Sequence, residues 1–227
     1  MLHLKNRSEA LAKRVPVNSN ELDIFERLSS FQPMSQHIIQ PLELIRTSSE
    51  CWIILPKMTP LDQDLRRNIR GISAKVSEIC WSLIKGLAFL HQQQIAHRDV
   101  KPGNLVLDEE YCLKIIDFDS AVQLDDEDEE VEDLCGTENW MAPEVERKAS
   151  MHSPIKADRW ACGHVIEHLL TACGGKDEIL RVIAERLKAD DPQQRPSLLN
   201  YRHWERGEDL LAPRPALSPT IRLTCTS

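Results

Sequence analysis

The chain has 227 residues, enough for one compact domain or for two lobes sharing a core, and its 28 Lys and Arg against 36 Asp and Glu leave a formal net charge of −8. That balance excludes a general nucleic-acid binder, because phosphate backbones call for a basic face. Seven cysteines, an odd number with no CxxC pair, exclude a disulfide framework and read as a reduced protein.

The first residues, MLHLKNRSEALAKR, lack the apolar stretch of a secretory signal, and the longest apolar run, 51–55, is far too short to cross a bilayer. The expected setting is therefore intracellular, cytoplasm or nucleus, with no membrane partner. In chain order, residues 2–4 and 10–15 are apolar stretches joined by Asn6-Arg7-Ser8-Glu9, which predicts a hairpin. Over 20–28, Leu22, Phe25 and Leu28 recur at helical spacing, with Asn18, Ser19 or Asn20 able to cap. Residues 37–45 and 51–55 read as strands, the second closed by Pro56. The clearest helix is predicted over 73–93, where Val76, Ile79, Leu83, Leu87 and Leu90 make one apolar stripe. Two short buried strands follow, 105–107 and 112–116, around an Asp108-Glu109-Glu110 turn. Further helices are expected at 157–171 and 177–188, and the proline-bearing stretch beyond Trp204 is expected to be disordered. Strands first and helices afterwards predict an α+β fold with segregated elements.

The chemistry-bearing segment is His97-Arg98-Asp99-Val100-Lys101-Pro102-Gly103-Asn104, a loop between the long helix and the strand pair. Thirteen residues after Asn104 comes Asp117-Phe118-Asp119, and Ala142-Pro143-Glu144 begins twenty-five residues after Asp117. Each triplet alone is weak. In this order and in these contexts they resemble the protein kinase family, whose signature combines a catalytic loop, a metal-binding triplet and a closing APE. Lys101 resembles the Ser/Thr group of that family.

The resemblance implies a bilobal fold. Residues 1–58 would be a reduced N-lobe, 59–204 a helical C-lobe with catalytic loop and activation segment, and 205–227 a disordered tail. It implies transfer of the γ-phosphate of ATP, with Mg²⁺, to Ser or Thr hydroxyls of a protein substrate, and leaves room for a regulatory partner. Asp99 would orient the acceptor hydroxyl and take its proton, and Lys101 would neutralise the moving phosphate. Asn104 and Asp117 would hold the metal, as oxygen ligands suit a hard cation. Lys13 resembles the strand lysine that grips phosphates, and Glu21 its helix partner. Phe25, His97 and Phe118 would stack as an apolar spine. Leu55 falls at the gatekeeper position and Met58 in the adenine-binding hinge. Gly136-Thr137 resembles the substrate-docking segment. Asp158, Trp160 and Gly163 resemble the start of the central helix, and Arg195 the buried partner of Glu144.

Several positions depart from the family pattern. Twelve residues precede Lys13 and none is Gly, so the phosphate-covering GxGxxG has no counterpart among them. Leu11 stands where a small residue underlies adenine, and Asp119 replaces a glycine whose backbone freedom Asp does not share. The stretch from Asp158 to Arg195 is short, which implies a reduced substrate-docking helix. These departures keep two other readings open: a pseudokinase that binds without transferring phosphate, and a kinase whose first strand lies upstream. The acidic run 125–133 is either a solvated, mobile loop or the source of a carboxylate that pairs with Arg98 in place of a regulatory phosphate. His164 and His168 have the i, i+4 spacing of a zinc pair, but Val165 stands where HExxH needs Glu, and helix packing is the plainer reading.

Overall fold

The computed structural model describes residues 9–147 and 151–208. The N-terminal part is a three-stranded antiparallel sheet of β1 (Ala10–Val15), β2 (Glu43–Arg46) and β3 (Cys51–Pro56), in the order β1-β3-β2. The apolar strand β3 takes the centre, where both its edges find hydrogen-bond partners. Its register with β1 sets Lys13 opposite Ile53 and Leu11 opposite Leu55. Helix α1 (Asn20–Ser29) buries Leu22, Ile24, Phe25 and Leu28. Of the expected hairpin, residues 2–4 lie outside the described residues, and 10–15 pairs with β3.

The strand expected over 37–45 divides in two. Pro41 offers no N–H to a ladder, and only Glu43–Arg46 pairs with β3. Residues before it turn to another partner: Ile39 N donates to the Ile115 carbonyl and Ile115 N to the His37 carbonyl, at 3.0 and 2.9 Å.

After β4 (Thr59–Pro60) come α2 (Leu61–Arg67), which sequence pattern did not signal, and α3 (Ile69–Gln92). The stripe of α3 is the predicted one, but the helix begins four residues before the expected start because the Asn68 side chain accepts from Gly71 N and caps it there. Two further antiparallel sheets frame the loops: β5 (Ile95–Ala96) with β8 (Val122–Gln123), and β4 with β6 (Leu105–Leu107) and β7 (Leu113–Ile115). The rest is helical: α4 (Pro143–Glu146), α5 (Pro154–Cys173), α6 (Glu178–Leu187) and α7 (Tyr201–Glu205).

Helix α5 has the N-terminal chemistry expected of a stable start. Ser153 accepts from Lys156 N, and Pro154 sits in the first turn, where its missing N–H costs nothing. It lies close against α6 because Gly163 has no Cβ; one built there would stand 2.8 Å from the Ala184 carbonyl oxygen. Helices α3 and α5 make the two largest contributions to the main core, from Ile72 to Leu90 and from Ala161 to Leu170, continuous with α1 and β3. Each such buried Leu or Ile contributes about 1.5–3 kcal/mol. The architecture is the expected α+β arrangement of small antiparallel sheets followed by helices. Among the described residues no helix is long and apolar enough to cross a membrane, and the six cysteines are free thiols.

Candidate functional site

Two clusters of the sequence-predicted residues form, one on the loop after β5 and one between β1, α1 and the loop after β7. The first is centred on Asp99. Its Oδ1 accepts from the Thr137 hydroxyl at 2.7 Å, and its Oδ2 accepts from Lys101 Nζ at 2.7 Å and Asn104 Nδ2 at 2.9 Å. Asn104 Nδ2 also reaches the Asp99 carbonyl at 3.0 Å, and Lys101 Nζ the Thr137 hydroxyl at 2.5 Å. Burial pushes the Asp99 carboxyl up, but Lys101, Thr137 and Asn104 outweigh it and hold the group below the usual carboxylate range. Thr137 comes from the stretch between β8 and α4, next to Gly136, whose φ of +129° few side-chain-bearing residues adopt.

The loop is held from beneath. Asp158, on α5, accepts from His97 N at 2.6 Å and Arg98 N at 2.8 Å, and His91 Nε2 stands 3.2 Å from the same carboxylate. Arg98 has a φ of +70°, an uncommon state for a residue with a side chain, and these bonds fix it. Phe118 stands edge-on between Phe25 and His97, with ring centroids 5.2 and 5.3 Å away.

The second cluster surrounds Lys13. Its ammonium lies 2.7 Å from Glu21 Oε2, 2.8 Å from Asp117 Oδ1 and 2.9 Å from Asp119 Oδ2. Burial would lower the Lys13 pKa, but bonds to Asp117, Glu21 and Asp119 win and raise it. Burial pushes the Glu21 carboxyl up; Lys13 pulls it down only in part, and Asp119 adds to the rise. Glu21 Oε1 accepts from Phe118 N at 3.2 Å, so the helix acid also fixes the backbone after Asp117. Glu21, Asp117 and Asp119 each bring a carboxylate oxygen within 4.8 Å of the others. One backbone bond, Ile116 N to the Asn104 carbonyl at 3.0 Å, joins the two clusters.

The left-handed conformation in the Asp117-Phe118-Asp119 triplet belongs to Asp117, with φ +66°, and not to Asp119. Replacing glycine at 119 therefore carries no left-handed strain. Leu55 and Met58 are half-buried at the end of β3 and just beyond it, packed against the main core. Leu11 is 51% exposed.

Sequence reasoning assigned nothing to Asn20 beyond a possible cap. Its Nδ2 donates to the carbonyls of Phe118, Asp119 and Ala121 at 3.4, 3.2 and 2.7 Å, pinning the triplet to α1. Ser19 holds the cap position without a side-chain bond. An Asn beside the helix glutamate was the available signal, but its partners lie about a hundred residues away.

The acidic run is docked rather than free. Arg98 Nη2 reaches Asp133 Oδ2 at 2.5 Å, Lys156 Nζ reaches Asp128 Oδ1 at 2.6 Å, and Arg159 Nη2 reaches Glu127 Oε2 at 2.6 Å. Val131 and His152 exchange backbone bonds at 2.9 and 3.1 Å. Lys156 and Arg159 are buried residues of α5, 5% and 3% exposed in their side chains, and these acids are their counter-charges. Neutralising Glu127 and Asp128 together (Glu127→Gln, Asp128→Asn) should loosen the segment, seen as a lower Tm and faster limited proteolysis within residues 124–134. The pair Asp125→Asn with Glu132→Gln, whose side chains make no ion pair among the described residues, serves as control; equal effects in both variants would remove the docking role.

Arg195 is wholly buried and grips Glu144 with two bonds of 2.6 and 2.8 Å. His164 and His168 pack against the Trp140 ring at 5.1 and 5.4 Å, and Trp160 stacks on His164 at 5.0 Å. That is the packing role their spacing left open beside zinc.

A family model for the protein kinase domain matches residues 4–203, well over half of the chain. Serine/threonine-protein kinase 4 homolog B of Dictyostelium discoideum is 30% identical over 155 residues, which are 66% of this chain and 14% of that protein. The probable serine/threonine-protein kinase CCRP1 of Zea mays is 39% identical over 106 residues, 47% of this chain and 17% of its own length. Serine/threonine-protein kinase cst-1 of Caenorhabditis briggsae is 29% identical over 166 residues, covering 71% of this chain and 33% of that protein. The chain thus spans a third or less of these relatives' lengths.

Proposed function

The chain belongs to the protein kinase family, and from that premise we propose that it transfers the γ-phosphate of ATP to Ser or Thr hydroxyls of protein substrates. The observation that carries this reading is the Asp99 carboxylate, held by Lys101, Asn104 and Thr137 in an ionised, oriented state. Phosphoryl transfer asks a protein for positioning and charge neutralisation rather than covalent chemistry. In this proposal Asp99 orients the acceptor hydroxyl and takes its proton, and Lys101, which bridges Asp99 and Thr137, turns its charge to the moving phosphate. Lys13 grips the α- and β-phosphates, with Glu21 aiming it. Leu55 and Met58 border the adenine.

The donor set fits Mg²⁺. Asp117 and Asp119 offer carboxylate oxygens close to one another, and the Asn104 amide can offer its carbonyl oxygen, the kind of ligand a hard divalent cation prefers. Asn104 and Asp117 are the residues proposed to hold it, and when bound it would neutralise charge on the phosphates. Residues 1–58 and 59–204 are proposed as the two lobes that meet over this site, with 205–227 a separate tail. The protein is proposed to work inside the cell, in cytoplasm or nucleus, on protein substrates rather than nucleic acid or membrane, with room for a regulatory partner.

A second reading is a pseudokinase that binds nucleotide or protein without transfer. Its support is Asp119, which adds a carboxylate beside the proposed phosphate position and engages Lys13. Labelled ATP with Mg²⁺ and a panel of Ser/Thr peptides separates the two, with Asp99→Asn beside the natural chain. Label transfer lost in the variant supports the kinase; nucleotide binding without turnover in either protein supports the pseudokinase.

A further inference from the structure

We infer that Asp119 is a positioning residue that clasps Lys13 and makes nucleotide binding depend strongly on a divalent cation. This rests on the reading of the Lys13 cluster as the nucleotide site. A lysine ammonium has three N–H donors and no more. Asp117 and Asp119 accept two of them at 2.8 and 2.9 Å, and the Glu21 carboxylate stands 2.7 Å from the same ammonium as its third counter-charge. A phosphate oxygen that is to meet Lys13 therefore competes with these acids for the ammonium.

The three acids do not release equally. Glu21 has no side-chain exposure, and its second oxygen accepts from Phe118 N, so freeing it would strand a buried carboxylate. Asp117 is 38% exposed and Asp119 57%, which makes Asp119 the one that water can most readily accommodate once displaced. Its place is nonetheless built. Asn20, the residue before Glu21 on α1, holds the carbonyls on both sides of Asp119 as well as its own. The helix that aims Glu21 at Lys13 thus also aims Asp119.

Charge gives the clasp its consequence. Three carboxylates around one ammonium leave the cluster two negative charges in excess. Bare nucleotide phosphates entering it meet repulsion and lose Lys13 to Asp119 at the same time. With a divalent cation present, a displaced Asp119 becomes a favourable neighbour instead. Removing Asp119 should then help bare nucleotide far more than cation-loaded nucleotide.

The test is equilibrium titration of the full chain with a fluorescent ATP analogue, in excess EDTA and in excess Mg²⁺, for the natural sequence, Asp119→Asn and Asp119→Gly. The ratio of the two Kd values is the readout, and circular dichroism melts confirm that each variant folds. Asp119→Asn keeps the side-chain size and removes only the charge. Both variants are expected to shrink the ratio about tenfold, chiefly by tightening binding in EDTA, since one unit charge at contact distance is involved and it is partly screened. A ratio unchanged within about twofold, with all three proteins binding nucleotide, overturns the clasp and leaves the nucleotide site standing. Absence of binding in all three, with and without Mg²⁺, removes the nucleotide reading and the clasp with it.

Discussion

Replacing Asp99 by Asn is expected to lower the rate of phosphotransfer by about 10²–10⁴-fold, the range ascribed to a positioned acid–base group. The geometry explains why so conservative a change should matter. Asp99 uses one oxygen for the Thr137 hydroxyl and the other for Lys101 and Asn104. An Asn amide must point its NH₂ at one of these donor groups, so orientation is lost together with the proton acceptor. Initial rates with labelled ATP measure the effect, and a variant within about threefold of the natural chain would show that Asp99 is only a loop-holding acid.

The pH dependence has a definite order. Asp99 has its folded pKa depressed; its charge and the stability it contributes are present above the unfolded value and lost as pH falls through the lower, folded one. Glu21 is shifted the opposite way, so on acidification it takes up its proton first and loosens its hold on Lys13 while Asp99 is still charged. Nucleotide affinity is therefore expected to decline at a higher pH than the chemical step. Kd and single-turnover rate measured across the acid range check this; coincident limbs would contradict it.

The largest expected loss of stability follows Asp158→Ala. Asp158 is 1% exposed and accepts from the two successive backbone N–H groups of His97 and Arg98 at 2.6 and 2.8 Å. Its removal leaves two donors, the buried His97 N–H and the part-buried Arg98 N–H, without this partner, at about 1–3 kcal/mol each. It also frees Arg98 from the left-handed conformation those bonds enforce. A total of about 3–5 kcal/mol is expected from urea denaturation. Asp158→Asn keeps one acceptor oxygen and should fall between. Because Asp99 follows Arg98 directly, activity should fall in the same order, even though Asp158 lies beneath the site. A loss below about 1 kcal/mol would mean that the loop holds its own shape.

The helix α3 was legible because its signal is local: an apolar residue every three or four positions makes a stripe that must be buried wherever the chain goes. The caps at Ser153 and Asp177 are equally local, though they move helix ends by only a few residues. Strand 37–45 was misread because its apolar residues serve two different partners, β7 before Pro41 and β3 after it, and composition does not say which partner a strand will find.

By itself the sequence determined the order of the chemistry-bearing segments and the residues each of them carries. It also determined the class of fold, since these follow from contiguous residues and their spacing. Only the tertiary structure decided that Lys13 meets Asp117 across 104 positions, that Asn20 pins the backbone around Asp119, and that the acidic run lies against α5 instead of floating in water. The physical reason is that a charge needs a counter-charge but its identity does not name one. Which acid neutralises which cation is settled by the path that the packed core imposes on the chain.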